Sequence, residues 1–193
     1  MYDRVAAGIC AVAALLGGMS EAAAGEFEVD RSHLSVEFAV SHYDISYVRG
    51  RFARIDAKVE YDPAARTGSV AVTVDPASID TGNATLDSVL RGPQFLDAGQ
   101  YPEVRFVSDR FDFADGKLAA VDGRLWLHGV QQPVRLTAER FVCKDVRAGI
   151  ATRHVCGGAF RAVFRRSTFG MTQFLPDVGD EVQLAISVEA TRQ

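Results

Sequence analysis

Apolar residues recur along this chain with a period of two. Leu34, Val36, Phe38 and Val40 alternate with Ser35, Glu37, Ala39 and Ser41, and Ile55, Ala57, Val59 and Tyr61 alternate with Arg54, Asp56, Lys58 and Glu60. Val70, Val72 and Val74 form a third run, and Val104 and Phe106 open a fourth that continues towards Phe111. Leu118 to His128 is a fifth run, Val134, Leu136 and Ala138 a sixth, Phe160, Ala162 and Phe164 a seventh, and Val182, Leu184, Ile186 and Val188 an eighth. Successive side chains of a strand point to opposite faces, so each run predicts a strand with one apolar face. Turn chemistry at Asp62-Pro63, Asp115-Gly116, His128-Gly129 and Gly157-Gly158 separates runs. An antiparallel sheet that closes on itself hides all these faces and leaves no free edge. The expected fold is therefore all-β, an eight-stranded antiparallel barrel, although a two-sheet sandwich satisfies nearly the same alternation.

One segment departs from this period. Asn83 is a suitable N-cap, Leu86, Val89 and Leu90 share one face at helical spacing, and Gly92-Pro93 ends the pattern. A short helix is predicted there, followed by a loop carrying Phe95 and Leu96 that returns at Tyr101-Pro102. A helix and an apolar loop set between strands need a surface to cover, and an open end of the barrel supplies one.

The first residues belong to a different class. Arg4 precedes an apolar run from Val5 to Met19, and Ala22-x-Ala24 follows with the small residues of a cleavage site. Residues 1–24 are expected to be a secretory signal peptide and residues 25–193 a single exported domain, with no stable membrane anchor after cleavage. The formal net charge of −4 argues against a nucleic-acid partner. Arg49, Arg51 and Arg54, and later Arg161, Arg165 and Arg166, read as solvated outer-strand arginines. Removal of the signal leaves two of the three cysteines, Cys143 and Cys156. An even count in an exported chain favours a disulfide. A zinc site with His154 as third ligand is the rival, and it lacks the close-paired cysteine spacing.

Candidate chemistry is sparse. His42 keeps phase with Leu34 to Val40 and should face the apolar side, whereas His33 shares the outer face with Ser35 and Glu37. The two cannot chelate one metal from a regular strand, and no metal site is expected. No Gly-x-Ser-x-Gly, His-Glu-x-x-His, Cys-x-x-Cys or glycine-rich phosphate loop is present. The twelve phenylalanines fall largely on inward phases or in the covering loop, which fits either an ordinary core or an elongated apolar cavity.

Five blocks in order resemble the YceI-like family of periplasmic polyisoprenoid-binding proteins, over about Phe27 to Ala190. Asp30 with His33, Val36 and Phe38 opens the series, and Val48, Gly50, Arg51 and Phe52 are similar to the family's Val-x-Gly-x-Phe approach to its second strand. "SIDTGNATLDSVLRGPQFLDAGQYPEVRF", "LHGVQQPV" and "RRSTFGM" followed by "VGDEVQLAISVEA" resemble the later blocks. The chain departs from the family at Tyr43-Asp44, where a small glycine-bearing turn is common, at Val89, where His is frequent, and at Thr168, where Asp is frequent. The resemblance implies a lipocalin-like barrel with a small helix near its mouth. It also implies a long lumen that binds isoprenoid or other long-chain amphipathic lipids, quinones included, with no other cofactor and no enzymatic chemistry established for the family. Together with strand phase it places Phe38, Phe52, Phe106 and Phe164 in the lumen wall. Leu86, Leu90, Phe95, Phe169 and Met171 are then expected at the lid or mouth, with His42 as a polar contact to ligand. A homodimer is left open. Two other readings stand beside this one: an enzyme acting on such a lipid through His42 with Glu37 or Asp44, and a filled, ligand-free barrel that serves a structural or partner-binding role.

Overall fold

The computed structural model describes residues 25–62 and 64–193; the expected signal peptide lies outside the described residues. The strands are β1 (Gly25–Val29), β2 (Ser35–His42), β3 (Ser46–Phe52), β4 (Ile55–Asp62), β5 (Thr67–Val74), β6 (Ile79–Asp80), β7 (Val104–Ala114), β8 (Lys117–Leu127), β9 (Val130–Ala148), β10 (Ala151–Arg165) and β11 (Val178–Arg192). Helix α1 spans Ala84–Arg91. All the strands belong to one antiparallel sheet, and β11 closes it. Along one edge β11 pairs with β2 from Val178 to Ser187 and then with β1 from Ala190 to Arg192. On its other edge it pairs with β10 from Glu181 to Thr191. The result is a closed eight-stranded barrel, because β1 and β2, β3 and β4, and β5 and β6 act as three long strands each interrupted once. The alternation in the sequence thus gives the right number of walls. No described helix is long and apolar enough to cross a membrane.

The interruptions shape the two ends. Between β1 and β2 the chain makes a 3-10 turn over Arg31–His33, capped by the Asp30 carboxylate. His33 therefore leaves the strand altogether, and its Nδ1 lies 2.9 Å from Asp30 Oδ2. Between β2 and β3 the turn runs through Tyr43 and Asp44, both at positive φ (54° and 52°), with the Ile45 N–H donating to the His42 carbonyl. This is the primed hairpin turn whose twist matches the strands it joins. The segment at Tyr47 to Phe52 is thus a full strand rather than only a corner.

At the mouth β6 ends the sheet order, with no strand on its far edge among the described residues. Helix α1 covers that edge. Asn83 accepts hydrogen bonds from the Thr85 and Leu86 N–H groups as N-cap. The Arg91 guanidinium donates to the Ala77 and Ile79 carbonyls, and the buried Asp87 carboxylate accepts from the Thr81 N–H and hydroxyl. The edge groups a missing strand would have used are satisfied by helix side chains.

At the other end the barrel is plugged. Phe27, Tyr61, Cys156 and Ala190 are buried together, with the Phe111 and Phe141 rings 6.2 and 5.3 Å from the Tyr61 ring. Gly157-Gly158 is not a turn: it lies inside β10, and the chain reverses at Gly149-Ile150. The stretch from Lys144 to Val155 carries no apolar period because that hairpin projects beyond the plug and has no core to face. The two glycines answer a different constraint. A Cβ on Gly157 would lie 2.7 Å from the Val188 carbonyl, and one on Gly158 would overlap the Arg140 carbonyl, next to the bulge at Ala159/Phe160. Cys143 and Cys156 face each other across this ladder and form the expected disulfide.

Two predictions follow from these contacts. Gly158→Ala lowers the free energy of unfolding in urea by about 1–3 kcal/mol. Gly99→Ala, where a Cβ meets nothing, changes it by less than about 0.5 kcal/mol. In an NMR titration Asp30 ionises at about 2, held down by hydrogen bonds from Ser32 and His33, and His33 titrates above its ordinary 6.5 because it bonds Asp30. The Asp30 contribution to stability is present above the ordinary carboxylate range and lost as pH falls through about 2. That of His33 is present below 6.5 and lost as pH rises through its raised value. Asp30→Asn returns His33 towards 6.5.

Candidate ligand cavity

The inward rows of the strands do not meet in the middle. They enclose a cavity of about 780 Å³, within the range of small-molecule sites. The filled-barrel reading is therefore corrected: the interior is open. Its wall is aliphatic and aromatic. Along β11 the row Val182, Leu184, Ile186, Val188 and Ala190 lines it, a run of roughly 26 Å at ~3.3 Å per residue. Such a length suits an extended chain better than a compact molecule. Several wall residues, Phe38, Val40, Phe52 and Phe164 among them, are only half-buried because they face this space.

Polar groups gather at the mouth. His42, Tyr43, Asn83, Thr85, Arg166 and Asp177 line the cavity there, while the base is closed by Tyr61 and its aromatic neighbours. The elements carrying them are tied together. The Tyr43 N–H donates to the Asp177 carbonyl at 2.6 Å, and the Phe95 and Phe174 rings stack at 6.1 Å. Tyr43 stands at the lip with its ring edge-on to His42, 4.5 Å between centroids. The His42 imidazole has no hydrogen-bond partner among the described residues. Around the opening Tyr43, Ile45, Val89 and Phe174 expose apolar surface.

Nine of the ten residues expected at the site line this cavity: Phe38, His42, Phe52, Leu86, Leu90, Phe95, Phe106, Phe164 and Met171. Phe169 does not. The strand ends at Arg165, and the 3-10 turn Arg166–Phe169, closed by Gly170 at φ 83°, drives its ring behind the wall. There it is fully buried, edge-on to Phe164 at 5.2 Å. The catalytic pairs considered from sequence are not assembled. Glu37 is exposed on the outer face, Asp44 accepts from the Ser41 hydroxyl, and neither lines the cavity.

Arg166 is the main departure from the sequence reading. Rather than lying on the outer strand face it is 3% exposed. Its Nε donates to the Gly179 carbonyl, Nη1 to Met171, and Nη2 to both Gln173 and Val178, at 2.8–2.9 Å. The guanidinium carbon lies 5.9 Å from the centre of the Phe95 ring. Burial pushes the Arg166 pKa down and the nearby Asp180 pulls it up, yet a guanidinium remains charged at any physiological pH. Asp180 is held below the ordinary carboxylate range: burial raises it, but hydrogen bonds from the Ser167 N–H and hydroxyl outweigh that. Arg166 thus fixes the loop from Met171 to Gly179, which brings Met171, Phe174 and Asp177 to the cavity. Phase counting missed it because the strand period stops one residue earlier. The non-helical, non-alternating "RRSTFGMTQF" was the available signal. Phe174 was missed for a related reason, since loop residues carry no period.

The family model for the YceI-like domain matches residues 27–190. A UPF0312 protein of Vibrio cholerae serotype O1 is 36% identical over 132 residues, covering 66% of this chain and 69% of the relative. One from Pseudomonas aeruginosa is 32% identical over 178 residues, covering 90% of each. The crystal structure of Burkholderia cenocepacia BcnA is similar with a TM-score of 0.69 at 27% identity, over 85% of this chain and all of that one, 100%. A polyisoprenoid binding domain from Saccharophagus degradans, implicated in plant cell wall breakdown, shares the fold with a TM-score of 0.61 at 15% identity, over 88% of this chain and 99% of its own.

The role given to Arg166 has a measurable consequence. Arg166→Leu removes the donor to four carbonyls, all at least partly buried in these contacts, and destabilises the protein by about 3 kcal/mol in urea unfolding. Arg166→Lys recovers only part of this, because an ammonium has three donors and no fork.

Proposed function

We propose that this chain, which belongs to the YceI-like domain family, is an exported binding protein that holds an isoprenoid or similar long-chain amphipathic lipid in its barrel. The observation that carries the reading is the polarity of the cavity: an elongated apolar lumen with its polar groups at one end. A prenyl chain fills the lumen, and a head group meets His42, Tyr43 and Asn83 at the mouth. Each methylene removed from water contributes about 0.8 kcal/mol, so a few prenyl units suffice for tight binding without any reacting residue. The polyisoprenoid binding domain that shares this fold supports the same class of ligand. Helix α1 and the loop bearing Phe95 stand at the opening, where a ligand enters, and storage, transport or stress protection all follow from sequestering a lipid in this way. The function proposed is binding, with no cofactor or metal needed for it and no nucleic-acid partner.

The test is direct. Solvent extraction and mass spectrometry of protein purified from the periplasm recover a bound lipid. Phe106→Arg, which places a charge in the wall, abolishes that recovery while leaving the far-ultraviolet circular dichroism of the barrel unchanged. His42→Ala weakens a prenyl quinone about 5- to 10-fold, the worth of one hydrogen bond, and leaves a hydrocarbon lacking a head group unaffected. Recovery of no lipid, together with no binding of added prenyl quinones, overturns the reading.

A further inference from the structure

Where the β9–β10 hairpin leaves the plug it carries a second constellation, away from the mouth. Cys143 on β9 lies opposite Cys156 on β10, and Asp145 lies opposite His154. Period-two alternation puts all four side chains on one face. The two sulfurs and a ring nitrogen of His154 fall within 4.8 Å of one another. His154 Nδ1 is 2.9 Å from Asp145 Oδ1, and its Nε2 is 3.9 Å from Cys156 Sγ. If Nδ1 carries the proton and donates it to Asp145, the Nε2 lone pair faces the sulfurs. This carboxylate-oriented imidazole is the arrangement found behind metal-ligating histidines. Cys143 and His154 are only partly buried, so the cluster is open to solvent from the hairpin side.

We propose that opening the Cys143–Cys156 disulfide converts this face into a site for a thiophilic d10 metal ion, Zn(II) or Cu(I), with Cys143, Cys156 and His154 as ligands and Asp145 as the group that orients the imidazole. The closed disulfide offers no thiolate, so the oxidised protein has no such site. Reduction requires an external dithiol, which gives up two electrons and two protons and becomes a disulfide while the S–S bond breaks into two thiols. The metal then displaces the two thiol protons to solvent as two metal–sulfur bonds form, and uptake weakens at acid pH. Zn(II) takes a water in its fourth position, and Cu(I) is satisfied by the two thiolates and the imidazole. Twelve residues separate the cysteines in the chain; strand register, rather than sequence spacing, supplies the closeness a chelate needs. This inference does not rest on the lipid reading, because the site lies at the plugged end.

The experiment uses the exported protein in oxidised form and after reduction and anaerobic removal of reductant. Zn(II) uptake is read by competition with a chromogenic chelator, Cu(I) uptake by competition with a Cu(I)-specific chelator, and ligand identity by the thiolate-to-metal absorption of the Co(II) form. The expected result is one equivalent bound by reduced protein and none by oxidised protein, with circular dichroism unchanged on reduction. His154→Ala weakens uptake at least about 100-fold, and Asp145→Ala about 10-fold, the usual loss for an orienting carboxylate. The Cys143→Ser/Cys156→Ser protein, which lacks disulfide and thiolates alike, binds no metal. Equal uptake by oxidised and reduced protein overturns the proposal, as does wild-type affinity in reduced His154→Ala or collapse of the strand signal on reduction.

Discussion

Everything in this molecule depends on one strand serving two partners along a single edge. By pairing with β2 over its first half and β1 over its last residues, β11 turns an open sheet into a ring. Closure satisfies most backbone N–H and C=O groups of the wall through neighbouring strands, with a side chain stepping in where pairing lapses, as where the Val70 N–H donates to Ser108 Oγ. The inward side chains are then freed from any duty in holding the wall together. They can be apolar throughout and still leave space between them, which a sheet packed on a second layer does not allow.

The same constraint explains where buried charge is found. At the mouth the ring is incomplete, where β6 stops the sheet order and the chain must travel through α1 and two loops. Backbone groups stranded there have to be met by side chains. Arg91 meets the carbonyls of Ala77 and Ile79, Asp87 meets Thr81, Ser167 is held by Asp180, and Arg166 alone gathers the carbonyls of Met171, Gln173, Val178 and Gly179. Asp87 and Arg166 are buried and the others partly so, all for structural reasons, and that separates them from His42, which is at the mouth but has no hydrogen-bond partner among the described residues. A buried arginine that donates to four carbonyls positions the loop, while the His42 imidazole has no such partner among the described residues.

How much of this was legible in the sequence follows from the same physics. Wherever a strand faces the lumen, period two is a direct record of the wall, so phase together with the family resemblance placed Phe38, Phe106 and Phe164, the resemblance placed Phe52, and helical spacing grouped Leu86 and Leu90 in the one segment that broke the period. Where the chain leaves the ring, the record fails. Lys144 to Val155 form strand without any apolar period because they have no core to face. Gly157-Gly158 looked like a turn because a close approach of backbones and a reversal both call for glycine. Phe169 and Arg166 exchanged their expected places, the aromatic behind the wall and the charge at the cavity, because a single 3-10 turn shifts the phase by which strand residues are sorted. Family resemblance supplied a mouth beside the helix; it could not supply the phase of that turn.

An open apolar lumen is itself a constraint on the folded state. Wall side chains that face space lose the dispersion contacts a packed core would give them, and a chain lodged in the lumen restores them and removes its own apolar surface from water. Binding and stability are therefore linked: a ligand that binds only the folded barrel stabilises it in proportion to the logarithm of its concentration over its dissociation constant. Part of what keeps the barrel intact is the packing of wall residues on one another, Phe106, Leu125, Leu127 and Phe160 among them, and the rest lies around the cavity. The hydrogen-bonded ring, the aromatic plug around Tyr61, the disulfide at the base and the arginine-bound loops at the mouth all act on the periphery of the cavity rather than across it. Under the proposed function, a lumen held open in this way accepts chains of different length, with discrimination left to the few polar groups at its mouth.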